Sequence, residues 1–322
     1  MKRKNKGLLI AAALLVIAGF AICAGVMILF DWDFSMLNTV DYETNVHDIS
    51  GTFDNISINT DTADITFELS ENGECKVVCH EIKEMPHSVQ VKDDTLEITW
   101  TDNRKAKDYI GIAMEETTIT FYLPRAEYDL LYIEDTTGDI TVPKEFCFEN
   151  IEIRATTGDV ECCASAEENF IIETDTGDIK VENVSANDMV LSVTTGHITL
   201  GNAECGGNIK VSVTTGETAI RGVRCENLAA EGDTGDIMLT DVIATGALSI
   251  ERTTGDVTFD RCDAAEIFVR TDTGDVNGSL LSEKYFVIET NTGDVDVPRT
   301  MGGGKCEIIT DTGDIEITEE RK

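Results

Sequence analysis

The sequence predicts an all-β protein. It should be a single-stack parallel β-solenoid with 19–20 residues per coil, following one apolar N-terminal helix. Three observations predict it. A glycine corner recurs ten times between Thr137 and Asp314, at spacings of 19 or 20 residues. Thr precedes that glycine in all ten copies and Asp follows it in eight, His197 and Glu217 being the exceptions. Apolar residues alternate on both sides of every corner. Internal periods of this length mark repeat architectures, and period-two alternation marks strands with one buried face.

The N-terminal end reads separately. Residues 1–6 form a basic flank with Lys2, Arg3, Lys4 and Lys6, and residues 7–30 carry no charge. About 20 apolar residues span a bilayer as a helix, so residues 7–30 are expected to be a transmembrane anchor. The basic flank belongs on the cytoplasmic side. The expected protein is therefore single-pass in the cell membrane, with a cytoplasmic N-terminus and an extracellular C-terminal domain. A cleaved signal peptide is the rival, but its apolar core usually runs only ~7–15 residues. Cys23 invites a lipoprotein reading, against which Ile22 stands where a small residue is needed. Residues 31–50 are expected to be a juxtamembrane linker.

Residues 51–130 form a less regular start. "ISINTDTADITF", Ile56–Phe67, carries the repeat template with Ala63 in the glycine position. Four periods' worth of chain then lacks the signature, although "CKVVCH", "LEITW" and "TTITFYL" still alternate like strands. The expectation is a set of diverged coils capping the membrane-proximal end, with an insertion near Arg104–Glu116.

Residues 131–322 hold the regular coils. The corner glycines are Gly138, Gly158, Gly177, Gly196, Gly216, Gly235, Gly255, Gly274, Gly293 and Gly313. Seven and five residues before each glycine stand mostly Ile, Leu, Val, Phe or Met. Two residues after it comes Ile or Val in nine copies, with Thr218 as the outlier. Each unit thus reads as strand, corner, short strand and connection, stacked on the preceding unit at ~4.8 Å. About eleven coils would make a rod ~50 Å long. Propeller blades need about twice this period. The charged C-terminal "IEITEERK" is expected to blunt the last sheet edge.

With the repeat in view, the iterated "TTGDI" and "DTGDI" units after an N-terminal anchor resemble the bacterial toast-rack, or adhesin-like, family of β-strand-repeat proteins, domain of unknown function 4097. The match covers about Ile49 to Lys322. The resemblance implies a right-handed, β-helix-like stack and membership of cell-envelope systems, some linked to stress responses against antimicrobial peptides. It supplies no catalytic residues.

Charge narrows the partners. The formal net charge is −36; all 61 acids lie beyond residue 30 with 21 of the 25 basic residues, so residues 31–322 carry −40. Such a field excludes nucleic acid as a natural partner and favours cationic peptides, basic envelope proteins or metal ions. At each corner, glycine permits φ > 0, and Thr and Asp oxygens can accept hydrogen bonds from nearby amides. Stacking would also align Asp139, Asp159, Asp178, Asp236, Asp256, Asp275, Asp294 and Asp314 in a column whose neighbours repel by about 1 kcal/mol each. That column is a weak metal candidate: one Asp per coil offers few of the six to eight ligands Ca²⁺ takes. A defined metal site or cofactor is therefore not expected. Thr-x-Thr pairs such as Thr174/Thr176 suggest an ice-binding ladder, but Val193, Val213, Gly232 and Arg252 break its outer column.

The carboxylates repeat evenly instead of converging, and the nucleophile-elbow, zinc-protease and phosphate-loop motifs are missing, so an enzyme is not expected. Zinc-type Cys and His spacings are also lacking. Cys205 and Cys225, nine residues past successive corners, could stack at disulfide range or be small buried hydrophobes. The vicinal Cys162 and Cys163 should face opposite ways. The expected function is a non-enzymatic binding or sensing scaffold of the cell envelope, related to envelope stress. The alternative is an adhesin contacting host or neighbouring-cell ligands; a cation-binding surface protein is a lesser one.

Overall fold

In the computed structural model, the described residues are 2–29, 38–106, 108, 109, 113 and 115–320; side chains are described from residue 14 onward. Helix α1 covers Lys2–Leu29, and the strands that follow are almost entirely parallel. Among the described residues, no helix is long and apolar enough to cross a membrane. Part of the expected anchor lies outside the described side chains, and Leu14, Leu15, Ile17, Phe20 and Leu29 project from α1 largely uncovered.

The middle of the molecule follows the repeat. Asp188–Thr195 pairs in parallel with Asn208–Thr215, Met189 opposite Ile209 and Leu191 opposite Val211. After the corner, Ile198–Gly201 pairs with Thr218–Arg221 in a second sheet. A third face of two-residue strands runs through Ser185–Ala186, Glu204–Cys205, Arg224–Cys225 and Ile243–Ala244. Each of these four coils thus has three sheet faces. Its inward columns, such as Ile172, Leu191, Val211, Ala230 and Ile250, are 2 % exposed or less. Burying one such aliphatic side chain stabilises by roughly 1.5–3 kcal/mol. No coil has enough of them alone, which is why the fold exists only as a stack.

Both ends depart from sequence order. At the N-terminal end the strands are β1 (Tyr42–Asp48), β2 (Asn55–Thr62), β3 (Asp64–Leu69), β4 (Lys76–Ile82), β5 (His87–Lys92), β6 (Thr95–Trp100), β7 (Thr118–Leu123), β8 (Glu127–Thr137) and β9 (Ile140–Val142). β2 lies between β6 and β8, and β3 between β7 and β9. The Ala63 coil is therefore the direct neighbour of the Gly138 coil, and the intervening chain builds a cap on its far side. That cap is only in part a diverged coil: β6 and β7 stack in parallel on β2 and β3, but β4 runs antiparallel to β1 and β7, and β5 antiparallel to β6. The expected linker over residues 31–50 is likewise corrected, since Tyr42–Asp48 within it forms the outermost strand of one sheet. Stacked aromatics fill the core beneath the cap, with Phe67 against Phe121 at 4.7 Å and Tyr128 against Phe148 at 5.6 Å.

The C-terminal end repeats the same device. Gly304–Thr312 inserts between Glu266–Thr273 and Lys284–Thr292, and Ile315–Glu319 inserts between Val276–Leu280 and Val295–Asp296. The last coil in sequence is thus second from the end in space. "IEITE" is an interior strand, and the open edge belongs to the Gly293 coil. Any two coils present the same inward columns, so rung order at the ends is set by the connections, not by the repeat.

Candidate functional site

The corner is built as a file. All ten corner glycines have positive φ, for example 140° at Gly177 and 143° at Gly216. A second constraint is absent from local sequence. A Cβ on Gly177 would lie 2.0 Å from the carbonyl oxygen of Gly158, and one on Gly158 1.9 Å from that of Gly138. Glycine is required because successive corners touch backbone to backbone.

The aspartates after the glycines are all exposed and tie coil to coil. Asp139 Oδ1 accepts the amide of Asp159 at 2.8 Å, and Asp159 Oδ1 that of Asp178 at 2.7 Å. Asp178 accepts from His197, whose Nδ1 accepts the amide of Glu217 at 3.0 Å. The ladder resumes from Asp236 to Asp256, Asp275, Asp314 and Asp294, in that spatial order. The expected role as amide acceptors holds, but the donor sits one coil away. One oxygen of each bonded carboxylate is thereby committed. The outer sheet faces carry cross-coil pairs such as Lys180–Glu161 and Lys210–Glu231, both 2.7 Å.

The column three residues before each glycine points inward, not outward as the ice-binding reading required. Thr174, Val193, Val213, Thr271 and Thr310 are 4 % exposed or less. The signal was present: offsets −7, −5 and −3 share one parity. Hydroxyls here donate to a corner carbonyl one coil away, Thr271 to Gly255 and Thr310 to Gly274, each at 3.3 Å. Arg252 occupies this column with a buried guanidinium that donates to Val213 O at 2.7 Å and to Thr218 Oγ1 at 3.3 Å. Burial lowers its pKa, although Asp236 and Asp233 pull the other way. The three sequence irregularities Thr218, Gly232 and Arg252 are thus one constellation.

Sequence reading missed the polar cluster beneath the cap. On β4, Val77, Cys79 and Glu81 alternate inward, and Glu81 is only 1 % exposed. Asn45 Nδ2 donates to Glu81 Oε1 at 2.7 Å, and the His87 amide donates to Oε2 at 2.7 Å. His87 Nδ1 lies 2.6 Å from the same Oε2, and its Nε2 lies 2.8 Å from Thr60 Oγ1. Burial favours the neutral acid of Glu81, but the hydrogen bonds from His87 and Asn45 outweigh it and hold the carboxyl below its ordinary value. Cys79 completes the group, its donor atom within 4.8 Å of those of Glu81 and His87. Burial pushes its thiol up to about 12. Four histidines scattered in sequence concealed this. The one legible trace was a glutamate at an inward strand position.

Asp135 sits in register with Thr60, one coil from the cap. It is 3 % exposed, and the Thr137 and Thr136 backbone groups only partly offset the burial of its carboxylate. Burial pushes its pKa up to about 7. Hydroxyl, imidazole and carboxylate follow one another from Thr60 to His87 to Glu81, as in a nucleophile relay. Thr60 is 3 % exposed, in a strand paired on both sides.

All ten cysteines are free thiols. Cys205 and Cys225 lie in neighbouring coils, and Cys205 Sγ donates to Asn187 O at 2.9 Å. Cys162 is buried and Cys163 half-buried, facing opposite ways as expected.

The Toastrack DUF4097 family profile matches residues 53–222 and 204–322. A comparison with curated proteins finds no match. Among solved structures, a putative adhesin from Bacteroides fragilis is similar at 14 % identity and TM-score 0.39, over 86 % of this chain and 97 % of that one. A putative adhesin from Parabacteroides distasonis gives 12 %, TM-score 0.47, and 87 % and 98 % coverage. A putative lipid binding protein from the same species gives 14 %, TM-score 0.43, and 87 % and 98 %. These likenesses carry no argument about what this chain binds.

Proposed function

Because this chain belongs to the Toastrack DUF4097 family, we propose that it is a non-enzymatic scaffold of the bacterial cell envelope, anchored by its N-terminal segment and binding cationic partners through its acidic solenoid. The observation that carries the reading is the exposed file of corner carboxylates, locked in register by amide bonds from coil to coil. Neighbours in the file are ~4.8 Å apart, well inside the ~8–10 Å screening length of physiological salt, so their fields add. A basic peptide laid along the file would relieve that repulsion without asking the scaffold to rearrange. Lys180 and Lys210 on the sheet faces lie in cross-coil pairs with acids.

Anchoring is supported by 24 consecutive uncharged residues behind a basic flank. A role in envelope stress joins the two parts: a sensor of cationic peptides needs an anionic surface held outside the membrane. The test uses the full-length chain in bilayers. Amphipathic cationic peptides should bind it with an affinity that falls steeply as salt rises, and anionic peptides of equal length should not. Equal binding of both, or none at low salt, defeats the proposal. Carbonate extraction should leave the chain in the membrane pellet, and its release would remove the anchor. Binding confined to a neutral saccharide or a cell-surface ligand would instead favour the adhesin reading.

A further inference from the structure

We propose that Cys79, Glu81 and His87 form a three-ligand site for Zn²⁺, or a similarly thiophilic divalent ion, inside the N-terminal cap. β4 places Cys79 and Glu81 two residues apart on its inner face, and the turn after it, closed by the Met85 amide on Ile82 O at 2.7 Å, returns His87 beside them. One donor atom from each lies within 4.8 Å of the other two. Tetrahedral ligands at zinc distances of about 2.0–2.3 Å stand roughly 3–4 Å from one another. His87 Nδ1 and Glu81 Oε2, now 2.6 Å apart, would therefore open to admit the ion between them while the group as a whole stays within its present span.

The atoms behind the ligands are already held. Asn45 fixes Glu81 Oε1, and Thr60 bonds His87 Nε2, so Glu81 Oε2 and His87 Nδ1 are turned toward each other at 2.6 Å. Outer hydrogen bonds of this kind orient metal ligands and select the histidine tautomer. Charge fits as well. A thiolate, a carboxylate and a neutral imidazole balance a divalent cation, which removes the cost of a buried carboxylate paired with histidine alone. The cation takes the place of the Cys79 thiol proton, which is released to solvent, and no electron moves. Many other inward positions around the cap are apolar, as at Val77, Leu96, Ile98, Ile119 and Phe121, and the three donors stand among them with the buried hydroxyls of Thr60 and Thr117. A narrow recess lined by Thr60, Glu81, Met85, His87 and Trp100 reaches two of the three donors, Glu81 and His87.

The test is titration of the reduced, metal-free, full-length chain with Zn²⁺ against excess Mg²⁺, which occupies the surface carboxylates. One equivalent of Zn²⁺ should be retained. X-ray absorption at the zinc edge should show one sulfur neighbour near 2.3 Å among nitrogen and oxygen neighbours. Replacement by Co²⁺ should give a sulfur-to-metal charge-transfer band that Cys79→Ser abolishes and Cys205→Ser keeps. Glu81→Gln and Thr60→Val should each weaken binding about 10–100-fold. Failure to retain Zn²⁺, or retention unchanged in Cys79→Ser, overturns the site and leaves Glu81 and His87 as a plain ion pair. If Cys79→Ser does not fold, the wild-type absorption spectrum decides: zero sulfur neighbours, or more than one, overturns the proposal.

Discussion

Arg252 reaches across Gly232, its register partner one coil back, to donate to Val213 O two coils back. A Cβ at position 232 would fall 2.0 Å from the Arg252 Nη1 and 1.8 Å from the Val213 carbonyl oxygen. The small residue and the large one are therefore a single packing solution, and Thr218 completes it with a hydroxyl in a column otherwise filled by Ile or Val.

Gly232→Ala is expected to destabilise the fold by about 2–4 kcal/mol, because neither the backbone carbonyl nor the trapped guanidinium can retreat. Gly201→Ala is the control. Its nearest neighbour would be the flexible side chain of Glu182 at 3.4 Å, and the change should be close to neutral. Urea unfolding midpoints compare the two, and equal midpoints would refute the packing argument.

Gly177→Ala should be as damaging as any single corner substitution. It combines a φ of 140° with a contact of 2.0 Å to the Gly158 carbonyl. The damage should be local, since each coil touches mainly its neighbours. Limited proteolysis should open the chain between the Gly158 and Gly177 coils, and hydrogen exchange should speed up there first. Unchanged exchange across these two coils would count against the touching-corner geometry.

The aspartate ladder makes a contrast between two substitutions at one position. Asp159→Asn keeps an acceptor for the Asp178 amide and removes one charge from a repelling file, so stability should hold or rise slightly. Asp159→Ala leaves that amide without its protein partner and should lower the melting temperature. If alanine and asparagine behave alike, the carboxylates serve charge alone.

Asp135 gives a pH signature. Its folded pKa stands at about 7 against an ordinary 3.8, with burial as the leading cause. Between those values the folded chain retains a proton that the unfolded chain releases, so this group's contribution to stability is present in acid and is lost as pH rises through about 7. The difference in stability between wild type and Asp135→Asn should therefore vary with pH over this interval, with Asn the more stable at pH 8. Parallel pH profiles would show that Asp135 does not titrate there.

Much of this was legible before any coordinates. The −7, −5, +2 and +4 columns predicted the strands, and the glycine spacing predicted the coil. The inward turn of the −3 column was written in the same parity, and the Thr-x-Thr pairs drew attention away from it. The cap cluster was not legible, because Asn45, Thr60, Cys79, Glu81 and His87 meet only when β4 pairs with the distant β1 and the β5–β6 hairpin docks its β6 strand on β2.

By itself the sequence determined the period, the corner chemistry and the burial of the −7, −5, +2 and +4 columns, since each follows from contacts within one coil or between a coil and its like. Only the tertiary structure decided the order of the end coils, with Ala63 beneath Gly138 and Gly313 between Gly274 and Gly293. Coils that carry the same inward columns pack on one another almost equally well. The local pattern is therefore indifferent to rung order, and the connections that carry the chain out and back settle it.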